Sequence, residues 1–365
     1  MKRESKFELL RIVLICMVIT LHYLNPEIGG ALEYTKGTEI NHVFALVLES
    51  ICIIAVNVFV IITGYFGLKR MSQSLRKPFG LILLVIGYNL ISRFVEVGMG
   101  EKALSINTIL GIFIPANWYI IIYVALILIA PYINFLINSI TKQQLEKLIC
   151  LMFTIFVVWN TVFDILFDLF NIKMLGVSTI TNNGSQSGYN IVNFILLYII
   201  GSYIKKYNIT IKIKYLLTIY ISALFLTILM GNFTSTSWNY DNIFVIIMSV
   251  SFFVLWNQTV EIGNKRIINV IAKGTLGIYI LHTKKVITEF LWGMFSIELY
   301  SHGGIVLFII NLLLCVVITY IICYVFDMLC RSIVRPISIL LDRIKLLNSN
   351  IVQLGIKFDE GKKSE

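Results

Sequence analysis

About ten apolar runs, most of them long enough to cross the roughly 30 Å hydrocarbon core of a bilayer, leave this chain little choice of fold. They lie at residues 7–24, 42–66, 79–97, 116–137, 148–169, 190–204, 215–230, 240–256, 267–281 and 303–326. In lipid, a backbone must satisfy its own N–H and C=O groups, so runs of this kind become helices. The fold class expected is therefore all-α, a polytopic transmembrane helix bundle of about ten spans. The sixth and ninth runs are short, as in tilted, broken or re-entrant segments. With 58% hydrophobic and 14% charged residues, a soluble domain with a polar surface is excluded.

Charge placement orients the bundle. The formal net charge is +10, but its distribution follows the excess of Lys and Arg in cytoplasmic loops rather than a nucleic-acid footprint, and no nucleic-acid partner is expected. Lys36, Lys102, Lys173, Lys284 and Lys285 fall on one side, and Arg11, Arg93 and Lys273 lie within spans. The other Lys and Arg residues, including Lys2, Arg3, Lys6, Lys69, Arg70, Arg76, Lys77 and Lys206, share the opposite side, which places both termini in the cytoplasm. Residues 1–330 read as one transmembrane unit, with no appended soluble domain, followed by a cytoplasmic tail, 331–365. Within the tail, 337–347 is basic and amphipathic, suited to the anionic inner leaflet. The six cysteines show no C-x-x-C spacing, so neither a metal site nor a disulfide framework is indicated.

The first span carries Glu8, Arg11 and His22. A secretory signal would need small residues at a cleavage site, and Ile19-Thr20-Leu21-His22-Tyr23-Leu24 offers none. Two readings remain: the polar groups snorkel to the two interfaces, or they line a path through the bundle, as intramembrane ionisable groups usually do. Eleven helical steps from Arg11 to His22 make about three turns and ~16 Å on one face, and Glu8 can pair with Arg11 at i,i+3. Elsewhere, Arg93 and Glu96 at i,i+3 either form an interfacial ion pair or leave Arg93 to contact substrate. Asp164 and Asp168, at i,i+4, either present two carboxylates to a cavity or reach outer water. The outer loop 25–41 is polar enough to touch a ligand, the 171–189 loop has the composition of a lid, and Lys273 is placed to snorkel inward. The ninth span either ends at His282 or breaks and resumes through Phe290-Leu291-Trp292.

Several of these pieces together resemble the acyltransferase 3 family of bacterial integral membrane O-acyltransferases. Glu8-Leu9-Leu10-Arg11 followed by His22 is similar to its first-helix signature. Val56-Asn57-Val58-Phe59 through Thr63-Gly64-Tyr65-Phe66 resembles its aromatic run ending in Ser-Gly-Phe or Ser-Gly-Tyr, with Thr63 in the serine position. Asn117-Trp118-Tyr119 and Thr275 to His282 resemble its fourth span and its late Tyr-x-x-His motif. Leu75-Arg76-Lys77-Pro78 matches the family's arginine-rich run only in part, and Thr283-Lys284 stands where a proline often follows the late histidine.

The resemblance implies transfer of an acyl group, acetyl above all, from cytoplasmic acyl-CoA to a hydroxyl of a cell-envelope polysaccharide or glycolipid, in the bacterial cytoplasmic membrane. Membrane lipid, acyl-CoA and the envelope or lipid-linked glycan would be the partners, with acetyl-CoA a co-substrate and no permanently bound cofactor. His22, with Arg11 and Glu8, would be catalytic, the histidine acting as base or acyl carrier. Arg11, Arg76 and Lys77 would bind the donor. Asn57, Trp118, Tyr279, His282, Asp164 and Asp168 are the acceptor or oxyanion candidates. A glycan or glycolipid transporter, or flippase, would use the same polar face without making a bond, and a lipid-linked sugar polymerase would favour longer outer loops.

Overall fold

The computed structural model describes residues 4–100, 105–114, 117–172, 177, 186–341 and 343–354. Lys2, Arg3, Lys102, Lys173, the Asn182-Asn183-Gly184-Ser185 part of the expected lid and the last residues of the tail lie outside them. The spans begin with α1 (Ser5–Leu24). The second is built from α2 (Glu39–Cys52) and α3 (Ala55–Gly67), with a short turn between them. Then come α4 (Arg76–Gly98), α5 (Trp118–Ser139) and α6 (Lys142–Phe170). They are followed by α7 (Ile191–Tyr207), α8 (Ile213–Gly231), α9 (Ile243–Thr259), α10 (Thr275–Leu281) and α11 (Ile305–Leu341).

Among the described residues, eight helical segments are long and apolar enough to cross a membrane. The two runs outside that set are the short ones, and packing explains both. Helix α7 has 17 residues but needs no long lipid-facing surface, because Phe194, Leu196, Leu197 and Tyr198 are buried in protein. It lies so close to α3 that a Cβ on Gly64 would overlap the Tyr198 carbonyl, and one on Gly201 the Ile61 carbonyl. Small residues thus let two backbones meet, and Ser202 Oγ donates across the contact to the Gly64 carbonyl at 3.0 Å.

The ninth run is broken. A short helix Arg266–Ile271 passes through a 3-10 turn, Ala272–Gly274, into α10. The exposed Lys273 sits in that turn. Beyond it, Gly274 and Gly277 press against Tyr324 and Asp327 of α11, with no room for a Cβ at either. Asp327 is itself buried; it accepts a hydrogen bond from the Tyr88 hydroxyl of α4 and one at 2.8 Å from Arg331 Nε. A buried carboxylate is tolerated when it is paired and hydrogen-bonded in this way. The clamp fixes α10 between α4 and α11.

Helix α1 runs through the centre, with Leu10, Leu14, Ile15 and Ile19 fully buried. Helix α11 continues unbroken across residue 330. After it the chain returns to pair β2 (Asn350–Gln353) antiparallel with β1 (Ser72–Ser74), the segment just ahead of Arg76. The six cysteines are free thiols; Cys150 is exposed and Cys16 half-buried, whereas the other four are buried.

Candidate active site

The Arg11 end of α1 opens on a cavity of about 220 Å³ whose walls include Arg11, Lys77, Thr63, Tyr119, Tyr123 and Tyr279. Arg11 holds Glu8 at 2.8 Å. Glu8 is buried while the Arg11 side chain keeps 27% of its surface exposed, so the carboxylate steadies a cation that lines the cavity. Lys77 reaches over the Tyr123 ring at 5.8 Å. Arg76, one residue earlier at the start of α4, stands beside this wall rather than in it. The cavity thus joins cations from two helices to a phenol-lined interior.

At the other end of α1, the half-buried His22 meets His282, which follows the last residue of α10. Their ring centroids are 4.8 Å apart. His282 Nδ1 lies 2.9 Å from the Ile278 carbonyl. A carbonyl can only accept, so the hydrogen sits on Nδ1 and Nε2 keeps its lone pair. That Nε2 is buried and unpartnered, as is His22 Nδ1. Buried polar atoms are nearly always hydrogen-bonded, and two orphaned ring nitrogens side by side suit a site that receives a ligand. Tyr279 joins the two ends: it lines the Arg11 cavity, packs at a tilt against Tyr119 at 4.8 Å and lies 6.0 Å from the His282 ring.

Asn57 and Trp118 belong to a neighbouring cluster. Asn57 Nδ2 donates to the Tyr240 carbonyl at 2.7 Å, leaving Oδ1 buried and unpartnered. Trp118 packs edge-on against Tyr189 at 4.5 Å and stacks with Tyr240 at 6.0 Å. Glu49, on α2, adds a residue that the sequence reading does not single out: its Oε2 is buried without a partner. Burial raises the pKa of the Tyr189 phenol above its ordinary value; a hydrogen bond with Tyr240 offsets part of this, and the Glu49 carboxylate adds to it. The signal for Glu49 was present as a lone acid inside an apolar run.

Asp164 and Asp168 go elsewhere. Asp164 accepts from Asn239 Nδ2 at 2.9 Å and Asp168 from the Thr234 hydroxyl, so both tie α6 to the segment that leads into α9. Arg93 and Glu96 form the spaced ion pair, at 2.5 Å.

A family model described as an acyltransferase domain, acyltransferase 3, matches residues 4–328. No curated protein and no solved structure matches. The matched stretch takes in both ends of α1, the cavity, α10 and His282, and on that coverage the chain belongs to the acyltransferase 3 family, as a multi-pass membrane acyltransferase.

Proposed function

We propose that the protein transfers an acyl group, acetyl above all, from cytoplasmic acyl-CoA to a hydroxyl of a cell-surface polysaccharide or lipid-linked glycan. The observation that carries this reading is the continuous line from the Arg11 cavity through Tyr279 to the paired rings of His282 and His22. The donor's phosphates bind at Arg11 and Lys77, where guanidinium and ammonium groups suit them. Its extended arm runs past the tyrosines and brings the thioester to the imidazoles, over the ~16 Å that eleven helical steps provide.

There the acceptor hydroxyl attacks the thioester carbonyl while His22 takes its proton. The tetrahedral intermediate collapses with loss of the thiolate, which recovers that proton as free thiol, and an oxygen ester is formed. His282, with its hydrogen committed to Ile278, offers its bare Nε2 beside His22 and holds the partner ring or the incoming hydroxyl in place. Asn57, Trp118 and Tyr279 remain the groups considered for the oxyanion.

The test is a transfer assay in proteoliposomes: acetyl-labelled acetyl-CoA on the Arg11 side and envelope glycan on the His22 side. Label in the glycan, released by mild base as expected for an ester, supports the reading. Uptake of intact glycan without label would instead mark a transporter.

A further inference from the structure

Immediately past His282 stand two lysines with opposite fates. Lys285 turns outward, exposed, and pairs with Glu289 at 2.8 Å. Lys284 turns inward and is half-buried; its ammonium donates to Asn89 Oδ1 at 2.6 Å. The Asn89 amide has no freedom to rotate away, because its Nδ2 already donates to the carbonyls of Ile112 and Ile114, at 3.2 and 2.9 Å. A neutral oxygen satisfies one of the three ammonium donors and none of the charge.

Among the described residues Lys284 has no ion pair. The carboxylate in its field, Glu96, is already held by Arg93 at 2.5 Å. Burial, and then the Arg93 guanidinium, push the Lys284 pKa below its ordinary value, with Glu96 offsetting part of the effect. Arg93 stands one turn after Asn89 on α4. The hydrogen bond from Lys284 to Asn89 therefore brings a second cation, from the bend after α10, toward that guanidinium, whose carboxylate partner, Glu96, it shares rather than owns. Leaving such a charge uncompensated is unfavourable, and an anion would relieve it.

We infer that Lys284, held in place by Asn89, forms with Arg93 a subsite for an anionic group carried by the acceptor, a phosphate or a carboxylate. Lys284 follows His282 by two residues, at most ~7 Å along the backbone, so the anion would be held by the same segment that carries one of the paired imidazoles. This rests on the reading that the paired imidazoles receive the acceptor. It narrows the acceptor class to glycans that are anionic next to the acylated sugar.

Binding can be measured without catalysis. Purified protein in phosphatidylcholine nanodiscs is titrated with glucose 1-phosphate, glucuronate and glucose, and binding is read from ligand-induced thermal stabilisation. At least one of the two anions should bind about tenfold or more tightly than glucose, a gap in keeping with a charge-assisted contact. Lys284→Gln should abolish that difference, Lys284→Arg should keep most of it, and Arg93→Gln should reduce it. Preference for glucose 1-phosphate would identify a phosphate-bearing acceptor, and preference for glucuronate a uronate-bearing one. Equal binding of all three sugars, or unchanged anion binding in a folded Lys284→Gln protein, would overturn the subsite. Displacement of the anions by phosphatidylglycerol added to the disc at constant ionic strength would also overturn it, in favour of a lipid headgroup. Wild-type protein that transfers acetyl but does not discriminate among the sugars would fail this inference alone. Protein that discriminates but never transfers acetyl would fail the acyltransferase mechanism alone.

Discussion

The rings of His22 and His282 sit 4.8 Å apart, each with a buried nitrogen that has no hydrogen-bond partner among the described residues. One lies near the end of the first helix and the other follows the last residue of α10, so the chain closes almost its whole matched length to bring them together. Such a pair is expected to act as a unit. Replacing either histidine by alanine should lower acetyl transfer by about 10²–10⁴-fold, the usual scale of a lost acid–base group. The double variant should be little worse than the poorer single one. Transfer rates at equal amounts of folded protein check this, and strictly multiplicative losses would show that the two rings act independently.

Arg11 should show itself in the donor dependence. Arg11→Ala is expected to raise the acyl-CoA concentration needed for half-maximal rate by about tenfold or more, because a charge-assisted phosphate contact is worth that much. Arg11→Lys should recover only part of the loss, since a point charge does not reproduce the guanidinium fork. The measurement is the rate against acetyl-CoA at saturating acceptor. Unchanged donor dependence combined with weakened acceptor dependence would exchange the roles of the two ends of α1.

The close crossing of α3 and α7 gives a prediction about stability rather than chemistry. A Cβ at Gly64 or Gly201 would overlap a facing carbonyl, so Gly64→Ala and Gly201→Ala should each destabilise the protein by roughly 1–3 kcal/mol, as overpacking does. Thermal unfolding in detergent should report this, with an exposed control such as Gly293→Ala, where nothing lies within 4 Å of the added carbon, unchanged.

Sidedness can be read by thiol labelling. In a background with the six free cysteines removed, Lys36→Cys should react with a membrane-impermeant maleimide in intact cells, because that side chain is exposed in the loop after α1. Lys69→Cys, exposed ahead of α4, should react only after the cells are opened. Labelling of residue 69 from outside would invert the bundle and with it the direction of transfer.

Much of this could be read in the sequence because a membrane removes alternatives. Apolar length announced the helices, Lys and Arg placement suggested their sense, and helical rise put Arg11 and His22 on one path. The ninth run read as one that either ends at His282 or breaks, and the fold breaks it at Ala272–Gly274. Partnership was harder, because periodicity tells which face of a helix is polar but not which other helix it faces. The late motif supplied Tyr279 and His282 as candidates, yet only the packing of α10 against α11 through Gly274 and Gly277 sets His282 beside His22. Asp164 and Asp168 had the spacing of a carboxylate pair, but short-range hydrogen bonds to Asn239 and Thr234 occupy them. Lys284 and Asn89 are far apart in sequence, and nothing local marks their bond.

The ribbon formed by Ser72–Ser74 and Asn350–Gln353 ties the chain beyond α11 to the segment just ahead of Arg76 and Lys77. Backbone pairing continues from Leu354 N–H to the Met71 carbonyl at 3.1 Å, and the far edge of the same loop is fastened where Asn134 Nδ2 donates to the Arg70 carbonyl at 2.8 Å. The stretch leading to Arg76 and Lys77 is therefore stitched from both sides, and one stitch comes from beyond residue 328, where the family match stops. A chimera joined after α11, which runs to Leu341, would keep the membrane spans and still unzip the ribbon. If Arg76 and Lys77 hold the donor as expected, substitutions in the segment after α11 would tune that contact without any change to the membrane-spanning helices.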